Sequence, residues 1–193
     1  MRICVYGAAS PTIDPKYMEL VEQMGKHLGT RGHSLVFGGG GHGLMGAAAR
    51  GVKQAGGYIV GVIPKFFNEE KVEEICDFCN ELIEPDTMRE RKQIMEDHAD
   101  AFIIVPGGIG TFEEFFEILT LKQLCRHQKP IAIYNINGYY NELLYAIEQA
   151  MVKNFVRETC TELYFTTDNL DDLFRYIETP IQGNRSIQEF KEG

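Results

Sequence analysis

Ala101-Phe102-Ile103-Ile104-Val105-Pro106-Gly107-Gly108-Ile109-Gly110-Thr111 is the stretch that decides the fold of this 193-residue chain. Its first five residues are apolar without alternation, which reads as a strand covered on both faces, the habit of parallel sheets. Pro106-Gly107-Gly108 ends that strand, and the spacing predicts a helix from Thr111 to Arg126. A strand running through glycines into a helix is the βα unit of an α/β sheet. Outward from it the same alternation recurs. Strands are predicted at Arg2–Gly7, Ser34–Phe37, Tyr58–Ile63, Glu81–Glu84, Ile131–Tyr134 and Leu163–Thr166. Helices are predicted at Asp14–Arg31, Leu44–Ala55, Met88–Ala99, Tyr139–Lys153 and Leu170–Glu178. The expectation is a doubly wound, Rossmann-like parallel sheet with helices on both faces. It forms one domain over residues 1–181, followed by a polar, loosely held tail at 182–193.

Composition narrows the function classes. Apolar residues make up 44% and charged residues 24%, as in an ordinary globular protein. A net charge of −9 argues against a nucleic-acid partner, which needs clustered Lys and Arg. No apolar run is long enough to span a bilayer, and Met1–Tyr6 moves straight into a strand, so neither a membrane partner nor a targeting peptide is expected and the cytoplasm is the expected compartment. Cys4, Cys76, Cys79, Cys125 and Cys160 form no disulfide framework; Cys76-x-x-Cys79 reads as two reduced, partly buried thiols. His42, His98 and His127 lack metal-ligand spacing, and no metal or cofactor is expected.

Two glycine clusters lie where a parallel sheet binds ligands, beyond the carboxyl ends of its strands. Gly38-Gly39-Gly40-Gly41-His42-Gly43 precedes the second helix, and Gly39 and Gly40 are candidate ligand contacts. Gly107, Gly108, Ile109, Gly110 and Thr111 open a helix whose first amides carry no intrahelical partner and attract an anion. Neither cluster ends in the Gly-Lys-Ser/Thr of a nucleotide-triphosphate loop.

Glu114 has two readings. Thr111-x-x-Glu114 matches a capping box. Yet at about 100° per residue, Glu114 falls opposite Phe112, Phe115, Phe116 and Leu119, on a second apolar side with Ile118 and Leu121. A carboxylate among apolar neighbours beside an anion loop is a functional candidate. Glu113 points nearer the polar side, close to Thr120. In the Met88–Ala99 helix, Thr87-x-x-Glu90 is the expected capping box, Met88, Met95 and Ala99 the buried stripe, and Arg91 and Lys92 cations at its edges.

Gly38-Gly39-Gly40 through Gly43-Leu44-Met45-Gly46, Met88-x-x-Arg91-Lys92-x-x-Met95 and Pro106-Gly107-Gly108-x-Gly110-Thr111-x-x-Glu114 resemble the LONELY GUY (LOG) family of cytokinin riboside 5′-monophosphate phosphoribohydrolases. Gly61-Val62-Ile63-Pro64 and Asn137-Gly138-Tyr139-Tyr140 extend the likeness from Val5 to about Val156. The resemblance implies a Rossmann-like homodimer that frees an adenine-type base and ribose 5-phosphate. It also implies a catalytic pair, Arg91 and Glu114. Lys92, Gly108, Gly110, Thr111 and Glu113 become nucleotide-binding residues, joined by Met88 and Thr120. Glu114 is expected to be ionised near neutral pH. Such proteins also carry the label lysine decarboxylase, but the sequence shows no Schiff-base lysine with a partner for a pyridine nitrogen. A non-catalytic nucleotide or cofactor binder and a hydrolase of ordinary nucleoside monophosphates stay open beside the cytokinin reading.

Overall fold

The computed structural model describes residues 1–70, 73–179 and 186–191. Seven strands form one parallel sheet in the order β4-β3-β2-β1-β5-β6-β7. They are β1 (Arg2–Tyr6), β2 (Ser34–Phe37), β3 (Ile59–Val62), β4 (Glu81–Ile83), β5 (Ala101–Ile104), β6 (Ile131–Tyr134) and β7 (Phe165–Thr167). The helices are α1 (Pro15–Thr30), α2 (Gly43–Gln54), α3 (Lys65–Glu69), α4 (Met88–His98), α5 (Ile109–Gln123), α6 (Asn141–Val152), α7 (Leu170–Glu178) and α8 (Ile187–Lys191). The expected Rossmann-like α/β class is the observed one.

Strand periodicity builds two cores from the same residues. Along β1, Ile3 and Val5 face one side with Val21, Met24 and Leu28 of α1. Cys4 and Tyr6 face the other with Met95 of α4 and Phe115 and Ile118 of α5. β5 divides likewise, Ala101 and Ile103 against Phe102 and Ile104. This is why the central strands are apolar after their first residues, Arg2 in β1 and Ser34 in β2: both of their faces are covered.

The order reverses at β1, whose neighbours are β2 on one side and β5 on the other. Chains leaving β1 and β5 diverge there and open a crevice at their carboxyl ends.

Three local readings change. Helix α5 begins at Ile109 with Gly108 at its cap and no side-chain cap bond, so the Thr111–Glu114 capping box does not form. Met88 is 39% exposed, because it opens the first turn of α4 beyond the packed stripe that Met95 and Ala99 do form. The tail is held in part: α8 buries Phe190 against Cys160 and Leu163, an apolar anchor that its polar composition concealed. Residues 182–185 and 192–193 of that tail lie outside the described residues. Among the described residues, no helix is long and apolar enough to cross a membrane.

Candidate active site

A cleft of about 380 Å³ opens at the switch point. The turn after β1, the glycine loop after β2, helix α4 and the start of α5 all contribute to its wall.

The loop between β5 and α5 is held from behind. Tyr140 Oη donates to the Val105 carbonyl and Tyr139 Oη to the Gly107 carbonyl, each at 2.8 Å. The Pro106 carbonyl accepts the Ala8 amide at 3.1 Å. With three successive carbonyls engaged, the loop leaves its amides to the cleft. The Phe112 amide makes the first intrahelical bond, to Gly108. The amides of Ile109, Gly110 and Thr111 thus head the helix without helical acceptors, the arrangement that receives an anion.

Arg91 and Glu114 meet in the cleft, with Arg91 Nη1 3.7 Å from Glu114 Oε1 and side-chain exposures of only 12% and 11%. Arg91 is positioned by its own helix and by Nε, which donates to the Val62 carbonyl at 3.0 Å. Burial pushes the Glu114 carboxyl up to about 7, although Arg91 pulls it down. The carboxyl expected to be ionised near neutral pH thus ionises within that range and not well below it. Desolvation on the second apolar side of α5 outweighs one cation at 3.7 Å.

Gly38 and Gly40 serve side chains. A Cβ on Gly38 would collide with the Arg91 guanidinium, and one on Gly40 with the Glu73 carboxylate. Both carboxylate and guanidinium line the cleft. Glu73 is carried on a segment clamped to the same loop, by Gly41 N–H to Glu74 O at 2.7 Å and Cys76 N–H to Gly39 O at 2.8 Å.

Of the candidate residues, the cleft brings together Gly40, Arg91, Gly108, Gly110, Thr111 and Glu114. The others lie outside its lining. Lys92 binds Glu113 at 2.5 Å and Glu117 at 2.7 Å. Ile109 is 88% exposed. Gly107 lines a smaller neighbouring hollow with Tyr17 and Tyr139. Gly39 backs onto Ile63. Thr120 lines a separate hollow between α5 and α6, and Met88 stands at the exposed start of α4.

Sequence reasoning missed Glu73, Phe67 and the turn Ala8–Ser10. The turn follows β1 at the switch point and was findable by that rule; Glu73 and Phe67 sit in a stretch without periodicity. The histidines are structural or outward. His98 Nδ1 meets the Ile94 carbonyl, His127 Nε2 meets that of Ile118, and His42 pairs with Glu74 at the surface. Cys76 and Cys79 are free, the bond from Cys79 lowering the Cys76 thiol to about 7. Among the described residues, no group of three or more His, Cys, Asp or Glu is placed to hold a metal ion.

Fold and cleft define the class, a Rossmann-like α/β protein with an anion-receiving loop at its switch point. The family described as possible lysine decarboxylase matches residues 45–177. The cytokinin riboside 5′-monophosphate phosphoribohydrolase of Mycobacterium tuberculosis is 41% identical over 90% of this chain and 91% of its own length. LOG7 of Arabidopsis thaliana, given the same activity, is 37% identical over 92% of this chain and 81% of its own. The solved molybdenum cofactor binding protein of Rippkaea orientalis superposes with a TM-score of 0.69 at 21% identity, covering 92% of this chain and 94% of that one, a likeness of fold alone. The chain belongs to the LOG family, and it is an enzyme of the phosphoribohydrolase class. The decarboxylase description does not fit the cleft, whose described lining contains no lysine to anchor pyridoxal phosphate.

Proposed function

We propose that this enzyme hydrolyses the N-glycosidic bond of a nucleoside 5′-monophosphate, a cytokinin riboside 5′-monophosphate or AMP, releasing the free base and ribose 5-phosphate. The observation that carries the reading is the buried Arg91–Glu114 pair, 3.7 Å apart, beside the open amides of α5. The 5′-phosphate sits on the amides of 109–111, with Thr111 and Gly110 shaping the seat. Scission of the C1′–N9 bond develops positive charge on the ribose, as in glycoside hydrolysis. Ionised Glu114 stabilises that charge and takes a proton from the attacking water. Arg91 holds Glu114 in place, favours its ionised form and neutralises charge on the substrate. Phosphate binding, remote from the bond that breaks, holds C1′ against Glu114.

The same reading makes the enzyme a cytoplasmic homodimer. The hollow between α5 and α6 is lined by Phe116, Leu119, Leu143 and Ile147, with Phe116 exposed, an apolar face suited to a second copy.

Incubation of the pure protein with AMP and with N6-isopentenyl-AMP, followed by chromatography of the released base, tests the function. Base from either supports the hydrolase, and the ratio of rates sets its specificity. AMP binding without base release would replace it with a non-catalytic nucleotide binder.

A further inference from the structure

The cleft contains a second carboxylate, half-buried, that the Arg91–Glu114 contact does not include. Glu73 Oε1 is shut off from solvent and, among the described residues, has no hydrogen-bond partner. An orphaned buried acceptor costs stability. The fold nevertheless makes room for it by the absence of a side chain at Gly40, and clamps its segment to the glycine loop from both sides. The carboxylate so held lines the cleft, where an arriving ligand can meet it.

What it meets follows from the phosphoribohydrolase reading, on which this inference rests. With the phosphate at the amides of 109–111, Glu114 lies roughly 6 Å farther along α5 from Gly110, at 1.5 Å per residue. That is a span suited to the ribose. The turn Ala8–Ser10, Tyr6, Met45 and Met95 also line the cleft, and beside Arg91 stand Gly38, Gly40, Phe67 and Glu73 as a further wall. The base occupies that wall.

We propose that Glu73 is a catalytic acid, delivering a proton to a ring nitrogen of the departing base. In this step the C1′–N9 bond breaks with its electron pair going to the base. The Glu73 carboxyl proton moves to a base nitrogen. The water oxygen bonds C1′ and gives its proton to the Glu114 carboxylate. Glu73 ends ionised and Glu114 protonated, and exchange with solvent restores both.

The electrostatics are in keeping with that role. Burial raises the Glu73 carboxyl, opposed by Arg91 from α4 and then by His42 from the start of α2. His42 itself is engaged by Glu74 at 2.8 Å. Glu114 from α5 and Tyr6 from β1 complete the titratable groups of the cleft wall. The proposed step uses Glu73 in its protonated form and Glu114 in its ionised form, the acid–base division of glycoside hydrolysis.

The test compares a leaving group that needs a proton with one that does not. Wild type, Glu73→Gln and Glu114→Gln would be assayed on AMP and on p-nitrophenyl ribofuranoside 5-phosphate. Glu73→Gln should lose about 100-fold or more in kcat on AMP, the usual range for general acid catalysis. On the nitrophenyl substrate it should lose far less. Glu114→Gln should fall on both substrates. Equal losses of Glu73→Gln on the two substrates, or no loss on AMP, would overturn the assignment. A wild type that frees no base from AMP or N6-isopentenyl-AMP would overturn the hydrolase reading, and this inference with it.

Discussion

Arg91 Nη1 stands 3.7 Å from Glu114 Oε1, closer than any other described cation, yet the carboxyl still titrates near 7. Too long for a hydrogen bond, the contact acts mainly through charge. The pair is a tuned one: burial lifts the carboxyl, and Arg91 restrains the lift without cancelling it.

Turnover should therefore rise with pH through about 7 as Glu114 ionises. Arg91→Gln removes the lowering influence, so the rising limb should move to higher pH while the maximum rate falls. Initial rates across a buffer series from pH 5 to 9 read both effects. A limb that stays in place would separate Arg91 from the ionisation of Glu114.

Glu114→Gln should abolish most turnover and stabilise the fold above pH 7. The folded carboxyl holds its proton up to about 7, against a usual 4.5, so its stabilising contribution is complete below 4.5 and lost as pH rises through 7. Glutamine stays neutral throughout. At pH 8 the gain approaches about 3 kcal/mol at most, visible as a Tm higher than wild type at pH 8 but not at pH 4.

Gly38→Ala should behave like an Arg91 variant. Its Cβ falls on the guanidinium, the movable end of a long side chain, so the sheet survives and Arg91 is displaced. Circular dichroism should be that of the wild type, with kcat reduced at least about tenfold. Wild-type kinetics would show that Arg91 can act from another position.

Thr87→Ala tests how firmly α4 presents Arg91. Thr87 Oγ1 accepts the Glu90 amide at 3.1 Å and Glu90 accepts the Thr87 amide at 3.0 Å, a complete capping box. Its loss should cost about 1 kcal/mol in chemical denaturation. The cleft itself should keep its composition.

Phe116→Asp should weaken self-association. It places a charge on the apolar hollow between α5 and α6, away from the cleft. Sedimentation velocity should show a smaller species than wild type.

The architecture was legible because continuous apolar strands such as 101–105 admit few other readings, and glycines mark where they end. Arg91 and Glu114 were legible from motif spacing and from the helical position of Glu114. The capping-box reading of Thr111 failed because Gly108 already fills the cap, a boundary that spacing alone does not settle. Lys92 and Glu113 are ligand contacts only by what the family resemblance implies. One position along a helix turns the side chain about 100°, enough to bring these two to each other instead. Glu73 gave no local signal at all. Its importance arises from a long-range fit to Gly40, more than thirty residues earlier.

The two tyrosine hydroxyls behind residues 105–107 carry a consequence for selectivity. Pinned carbonyls at Val105 and Gly107 fix the loop from which α5 starts, so on the proposed reading the amides of 109–111 offer every phosphate ester the same reception. Discrimination among nucleotides then falls to the opposite wall, where Phe67 and Glu73 stand on connections outside the sheet. Evolution can exchange that wall for a new base preference while the phosphate seat and the strands beneath it stay as they are.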